Sequence, residues 1–82
     1  MAVVKLTGWQ AGLRKISLTK IIRKHTGYGL AKGKKCVDDV LEDIPVLIPD
    51  LSNNVAEELL REVRSVGAVA EIDLEDSNRE AQ

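Results

Sequence analysis

Residues 15–37, KISLTKIIRKHTGYGLAKGKKCV, decide how the chain folds. From Lys15 to His25, the residues Leu18, Ile21, Ile22 and His25 recur at helical spacing, which predicts an α-helix with one buried stripe. Thr26-Gly27-Tyr28-Gly29 closes it, with Gly27 placed where helices end in the left-handed conformation that side chains disfavour. A second helix is expected from Leu30 to Asp43, its inward stripe running through Leu30, Gly33, Val37, Val40, Leu41 and on to Ile44. The stretch holds seven Lys and Arg and no acid. Lys20, Arg23 and Lys24 fall opposite the first stripe, Lys32 and Lys35 point outward from the second, and Lys34 sits at its margin. A basic start to a helix opposes the helix dipole, and a glycine inside one costs up to about 1 kcal/mol relative to Ala. Gly33 therefore suggests close approach of the first helix or of a partner.

Upstream, Val3 to Thr7 is β-branched and partly alternating, a predicted strand, and Gly8 to Arg14 reads as a loop. Trp9 in that loop either folds back over the core as a lid or anchors an interface. Downstream, Pro45 is expected to end the second helix, and Val46-Leu47-Ile48 is either a brief edge strand or a packed loop. Ser52 or Asn54 can cap a third helix over Val55 to Val66, with Val55, Leu59, Leu60, Val63 and Val66 inward and Gly67 as its stop. On its surface Glu57 and Arg61 attract, while Glu58 and Glu62 repel. Ala68 to Leu74 alternates as a half-buried strand, and residues 75–82 read as a disordered polar tail.

The element order is β-α-α-β-α-β. The expected fold is a small two-layer α+β domain over residues 1–74, with three helices packed on one face of a small sheet. The terminal strands pair with each other or with the middle one. At 82 residues, 44% hydrophobic and without Phe, the chain makes one modest aliphatic core. One Cys excludes an internal disulfide and fits a reducing compartment, and Cys36 reads as a small, partly buried side chain whose pKa nearby lysines could lower. No apolar run approaches the roughly 20 residues that span a bilayer, so a cytoplasmic protein with no membrane partner is expected.

Charge is segregated. Residues 1–37 hold nine Lys and Arg and no acid, whereas residues 38–82 hold three Lys and Arg and all thirteen acids. A basic face seeking an acidic partner follows, or two halves that offset one another on one surface. No GxxxxGK[ST] or strand-linked GxGxxG is present, His25 is the sole His, and no nucleophile–base pair stands out. The sequence thus points to no enzyme, no cofactor and no metal site.

Thr26-Gly27-Tyr28-Gly29-Leu30, preceded by Lys15-Ile16 and Lys20-Ile21-Ile22-Arg23 and followed by Lys34 and Val37, resembles the C-terminal domain of the bacterial large-subunit ribosomal stalk protein. That family reads Lys-Val-x-Val-Ile-Lys-x-Val-Arg and then Thr-Gly-Leu-Gly-Leu-Lys-Glu-Ala-Lys. The close, Val66-Gly67-Ala68-Val69-Ala70-Glu71-Ile72, is similar to the family's as well. The resemblance implies a compact domain that recruits translational GTPases to the ribosome through its first two helices. Matched by position, the implied partner-binding residues are Lys15, Ile16, Lys20, Arg23, Leu30 and Lys34, with Gly27 and Gly29 shaping the turn. Lys32 stands where the family has an acid, and Ala31 where it has Lys. The family's N-terminal anchoring domain and hinge are not expected here, so the chain reads as a free-standing relative or a cut-down form of the family protein.

Three other readings compete with recruitment of a translational GTPase or another acidic protein surface. RNA or other nucleic acid could bind the same basic face, though thirteen acids oppose a long duplex and only Trp9 and Tyr28 could stack. A Clp-adaptor-like role would need acids beside a pocket for a cationic N-terminus, and the first half has none. Basic and acidic patches could also join copies of the chain head to tail.

Overall fold

The computed structural model describes residues 1–74, which form β1 (Ala2–Trp9), α1 (Lys15–Thr26), α2 (Leu30–Leu41), β2 (Val46–Leu51), α3 (Asn53–Ser65) and β3 (Ala68–Asp73). The order matches the expected α+β domain, and the predicted tail lies outside the described residues. β1 is the central strand, flanked antiparallel by β2 and β3. Both pairings that the sequence left open are therefore made, by the two sides of one strand.

Alternation along the strands fixes the layers. Ala2, Val4 and Leu6 of β1 are buried, as are Val46 and Ile48 of β2 and Ala68 and Ala70 of β3, while Lys5, Leu47, Val69 and Glu71 are exposed. The buried set meets Leu18 and Ile22 of α1, Val37 and Val40 of α2, and Ala56, Leu59 and Val63 of α3. Aliphatic side chains and Cys36 make up this core, as the absence of Phe requires. Fully burying a side chain such as Leu18 or Ile22 contributes roughly 1.5–3 kcal/mol, so this core fixes the relative positions of the three helices.

Some local expectations are corrected and some open alternatives are decided. α2 stops at Leu41, before Pro45 acts: Asp43 takes a left-handed conformation (φ 61°), its N–H donates to Val40 O at 3.0 Å, and the Ile44 N–H donates to Asp39 O at 2.8 Å. This pair of bonds is a Schellman closure, with Asp in the place glycine usually takes. Ile44 then turns outward and is 46% exposed, so it does not continue the inward stripe. The middle apolar run is a true edge strand. Its Pro49 and Asp50 bulge between the Val4–Ile48 and Ala2–Leu51 pairs, with Asp50 at φ 65°, and an edge bulge is where a sheet tolerates proline. Ser52, not Asn54, caps α3, its Oγ accepting the Val55 N–H at 3.2 Å. Trp9 is no lid: it ends β1 opposite Ala68 and is 44% exposed.

Gly67 ties the end of α3 to the start of α1. Its φ of 102° suits only glycine, its carbonyl accepts the Gln10 N–H at 2.8 Å, and the neighbouring Val66 carbonyl accepts the Arg14 N–H at 3.0 Å. These bonds set where α1 begins, and so where its surface side chains point.

Candidate functional site

α1 and α2 form an antiparallel pair because the chain turns within Thr26–Gly29. Gly27 adopts φ 77° and donates its N–H to Arg23 O at 2.9 Å, a left-handed helix cap. The Thr26 hydroxyl donates to Ile22 O at 2.7 Å and accepts the Tyr28 N–H at 3.1 Å, holding the other side of the turn. Gly29 is extended (φ −66°, ψ 170°), a conformation open to any residue, and begins α2.

Along the seam a shallow groove is lined by Lys15, Ile16 and Thr19 of α1 and by Lys34, Val37 and Asp38 of α2. Ile16 is 75% exposed and Leu30, one turn before Lys34 on the same flank of α2, is 50% exposed. Leu30 is thus not part of the buried stripe. Neither side chain contributes much to the core, and both stand beside lysines. Arg23 lies across the seam: its Nε donates to Tyr28 O at 3.3 Å, and its stem covers Gly33, where an added Cβ would stand 2.8 Å from Arg23 Cγ. The close approach suggested by Gly33 is to α1. Lys20 is exposed on the outward ridge of α1, a turn beyond Ile16, and does not line the groove.

Of the six residues matched by position, the groove therefore gathers Lys15, Ile16 and Lys34, with Arg23 and Leu30 along the same seam and Lys20 beside it. Thr19 and Asp38 were not singled out from sequence, and Val37 was read only as part of the inward stripe of α2 and of the family motif. Thr19 is marked only by facing the partner helix, and Asp38 by lying one turn after Lys34.

Lys32 sits elsewhere. It is two residues from Lys34, about 200° around the helix, and its ammonium lies 4.0 Å from the centre of the Tyr28 ring. It lines a recess with His25, Thr26, Pro49, Asp50 and Leu51, on the flank of α2 away from the groove. The basic start of α2 is offset locally: a cation over an aromatic face contributes about 0.5–1 kcal/mol at an exposed site, and Lys35 pairs with Asp39 at 3.2 Å. Tyr28 has its phenol pKa raised, first by burial and then by the charges of Cys36 and Asp50. Burial, and next the Asp39 carboxylate, raise the Cys36 thiol despite Lys32 and Lys35, so the lysines do not make it reactive.

The opposite flank of α1 faces α3. Lys24 Nζ approaches Glu62 Oε1 at 3.0 Å and His25 Nε2 lies 2.9 Å from Glu62 Oε2. The expected Glu58–Glu62 repulsion is thus set against two basic partners. Their hydrogen bonds, that of Lys24 first, hold the Glu62 carboxyl below its usual range against the opposing effect of burial.

Fold and site together define a class: a three-helix, three-strand α+β domain whose α1–α2 seam presents exposed aliphatic side chains within a basic rim. The chain belongs to the ribosomal protein L7/L12 C-terminal domain family, whose profile matches residues 2–73. It is similar to the large ribosomal subunit protein bL12 of Chloroherpeton thalassium (strain ATCC 35110 / GB-78), with 36% identity over 62 residues. That match covers 76% of this chain, and the chain spans about half (46%) of that relative's length. No helix among the described residues is long and apolar enough to cross a membrane.

Proposed function

We propose that the domain is a binding module of the ribosomal stalk, without catalytic chemistry of its own, and that its α1–α2 seam docks a translational GTPase in the cytoplasm. The observation that carries this reading is the exposure of Ile16 and Leu30 amid Lys15, Arg23 and Lys34. Exposed aliphatic side chains inside a charged rim supply the two parts of a transient interface, an apolar centre and steering charge. Family membership supports the choice of partner. The rim suits an acidic surface, and association should slow as salt rises.

The test is an amide NMR titration of the labelled domain with a translational GTPase loaded with a non-hydrolysable GTP analogue, and separately with a short RNA duplex. Shifts confined to residues 15–38 on adding the GTPase are expected. Lys20→Glu with Lys34→Glu should weaken binding by about tenfold or more, as expected when charges at the interface are reversed, and leave the fold intact. Unchanged affinity in that double variant would refute the seam. Shifts with RNA alone would transfer the same face to nucleic acid. Tyr28 does not favour that outcome, because its ring is already covered by Lys32.

A further inference from the structure

On the other flank of α1, we propose that His25, Glu58 and Glu62 bind a divalent transition-metal ion of the zinc class. One ligand atom from each of the three lies within 4.8 Å of the other two. The site joins two helices: His25 occupies the last turn of α1, and Glu58 and Glu62 lie one turn apart on α3. Leu18 and Ile22 of α1 and Leu59 and Val63 of α3 are fully buried, so the backbones that carry the ligands are fixed by the core.

The donors suit the ion. Zinc accepts imidazole nitrogen and carboxylate oxygen at bond lengths of about 2.0–2.2 Å, and three such ligands leave a fourth position for water. Bonds of that length at tetrahedral angles set neighbouring ligand atoms roughly 3.3–3.6 Å apart. His25 Nε2 and Glu62 Oε2, now at 2.9 Å, would open by a few tenths of an ångström. Only 7% of the His25 side chain is exposed, so its ring is held in place, whereas exposed Glu58 is free to swing in.

Glu62 divides its oxygens in a way that admits the ion. Oε1 faces Lys24 and Oε2 faces His25, so Oε2 can bind while Oε1 keeps its ammonium partner. Lys24 then orients the carboxylate from the outer shell, and its positive charge lowers affinity for the ion. The residues lie apart from the α1–α2 groove, and the inference does not depend on how that groove is used. The sequence concealed the site because a lone His has no metal partner within its own segment, and both carboxylates arrive from α3.

The experiment is calorimetric titration of zinc chloride into the untagged, metal-free chain at about pH 7.5, with the His25 ring followed by NMR. The expected result is one ion per chain, a micromolar dissociation constant, shifted His25 ring resonances and a higher Tm. Glu58→Gln should weaken binding by about tenfold or more without lowering the metal-free Tm, since it also removes the repulsion from Glu62. His25→Ala should abolish binding, and Cys36→Ser should retain it. Absence of binding at millimolar zinc would overturn the site, leaving an ion pair alone. So would binding undiminished in Glu58→Gln, or binding that leaves the His25 resonances unmoved.

Discussion

If the α1–α2 seam docks a translational GTPase, Gly33→Ala separates what the seam needs for stability from what it needs for docking. Gly33 is buried inside α2, and replacing glycine by alanine in a helix interior contributes up to about 1 kcal/mol. Against this stands space. The new Cβ would lie 2.8 Å from Arg23 Cγ, 3.2 Å from Arg23 Cδ and 3.4 Å from Thr19 Cγ2. All three atoms belong to side chains, and Arg23 is exposed, so its stem can rotate away while the helices stay in place. Rotation gives up the 3.3 Å bond from Arg23 Nε to Tyr28 O. A typical intramolecular hydrogen bond contributes about 0.5–1.5 kcal/mol net, and this long, exposed one belongs at the low end. The two effects nearly cancel, so stability should change by less than about 0.5 kcal/mol, a Tm shift within about 4 °C for a domain of this size.

Docking should not be neutral in the same variant, because the guanidinium leaves the seam. The expected result is an unchanged urea midpoint with affinity for the GTPase reduced about threefold to tenfold, the range a displaced interface charge produces. Destabilisation beyond about 1.5 kcal/mol would refute the reasoning, since that is the range of a strained core insertion and would show that the Arg23 stem cannot move. Unchanged stability with unchanged affinity would show that the position of Arg23 does not matter to the partner.

Three further outcomes follow from the geometry. Gly67→Ala should cost about 2 kcal/mol or more by urea unfolding, because φ is 102° and the new Cβ would meet the Leu13 backbone Cα at 3.0 Å; an unchanged midpoint would remove this glycine from the account of the α3–α1 junction. Glu62 titrates below its ordinary value near 4.5, so its stabilising contribution is complete above that pH and is lost as pH falls through the lower folded-state value. In EDTA, wild type should lose stability more steeply than Glu62→Gln as pH drops below about 4.5, and parallel profiles would refute the pairing with Lys24 and His25. Cys36, buried and with a raised pKa, should react with iodoacetamide at pH near 7.5 about tenfold slower than a free thiol, and labelling as fast as free cysteine would contradict both.

The hairpin was legible because its signals are local. Thr26-Gly27 supplies a hydroxyl that bridges the turn and a residue that accepts φ 77°, and both lie beside a 3.6-residue stripe of Leu18 and Ile22. The third helix, capped by Ser52, and the alternation that buries Ala68 and Ala70 were legible for the same reason. What failed was local too, but had two physical solutions. Asp43 ended α2 in a conformation usually given to glycine, so proline two residues on was credited with a stop already made. The run 46–48 between two prolines was open to either an edge strand or a packed loop, and an edge bulge at Pro49-Asp50 decides it by letting β2 continue to Leu51.

Side-chain direction was harder to read than backbone, and the functional surfaces turn on it. Seven basic residues between Lys15 and Lys35 look like one patch in sequence. Folding divides them by the angle each takes around its helix. Lys15, Arg23 and Lys34 go to the α1–α2 seam, Lys24 goes to Glu62 on α3, and Lys32 goes to the Tyr28 ring. Lys35 pairs with Asp39 one turn on, and Lys20 is left on the ridge between the first two destinations. Lys32, which stands where the family has an acid, therefore lies on the flank of α2 turned away from the α1–α2 seam. If the seam is the docking surface, Lys32→Glu should break the contact with Tyr28 and barely change affinity for the GTPase, while Lys34→Glu, on the seam, weakens it. Equal losses from the two substitutions would mean that the partner reaches around α2 and that the docking surface is wider than the groove.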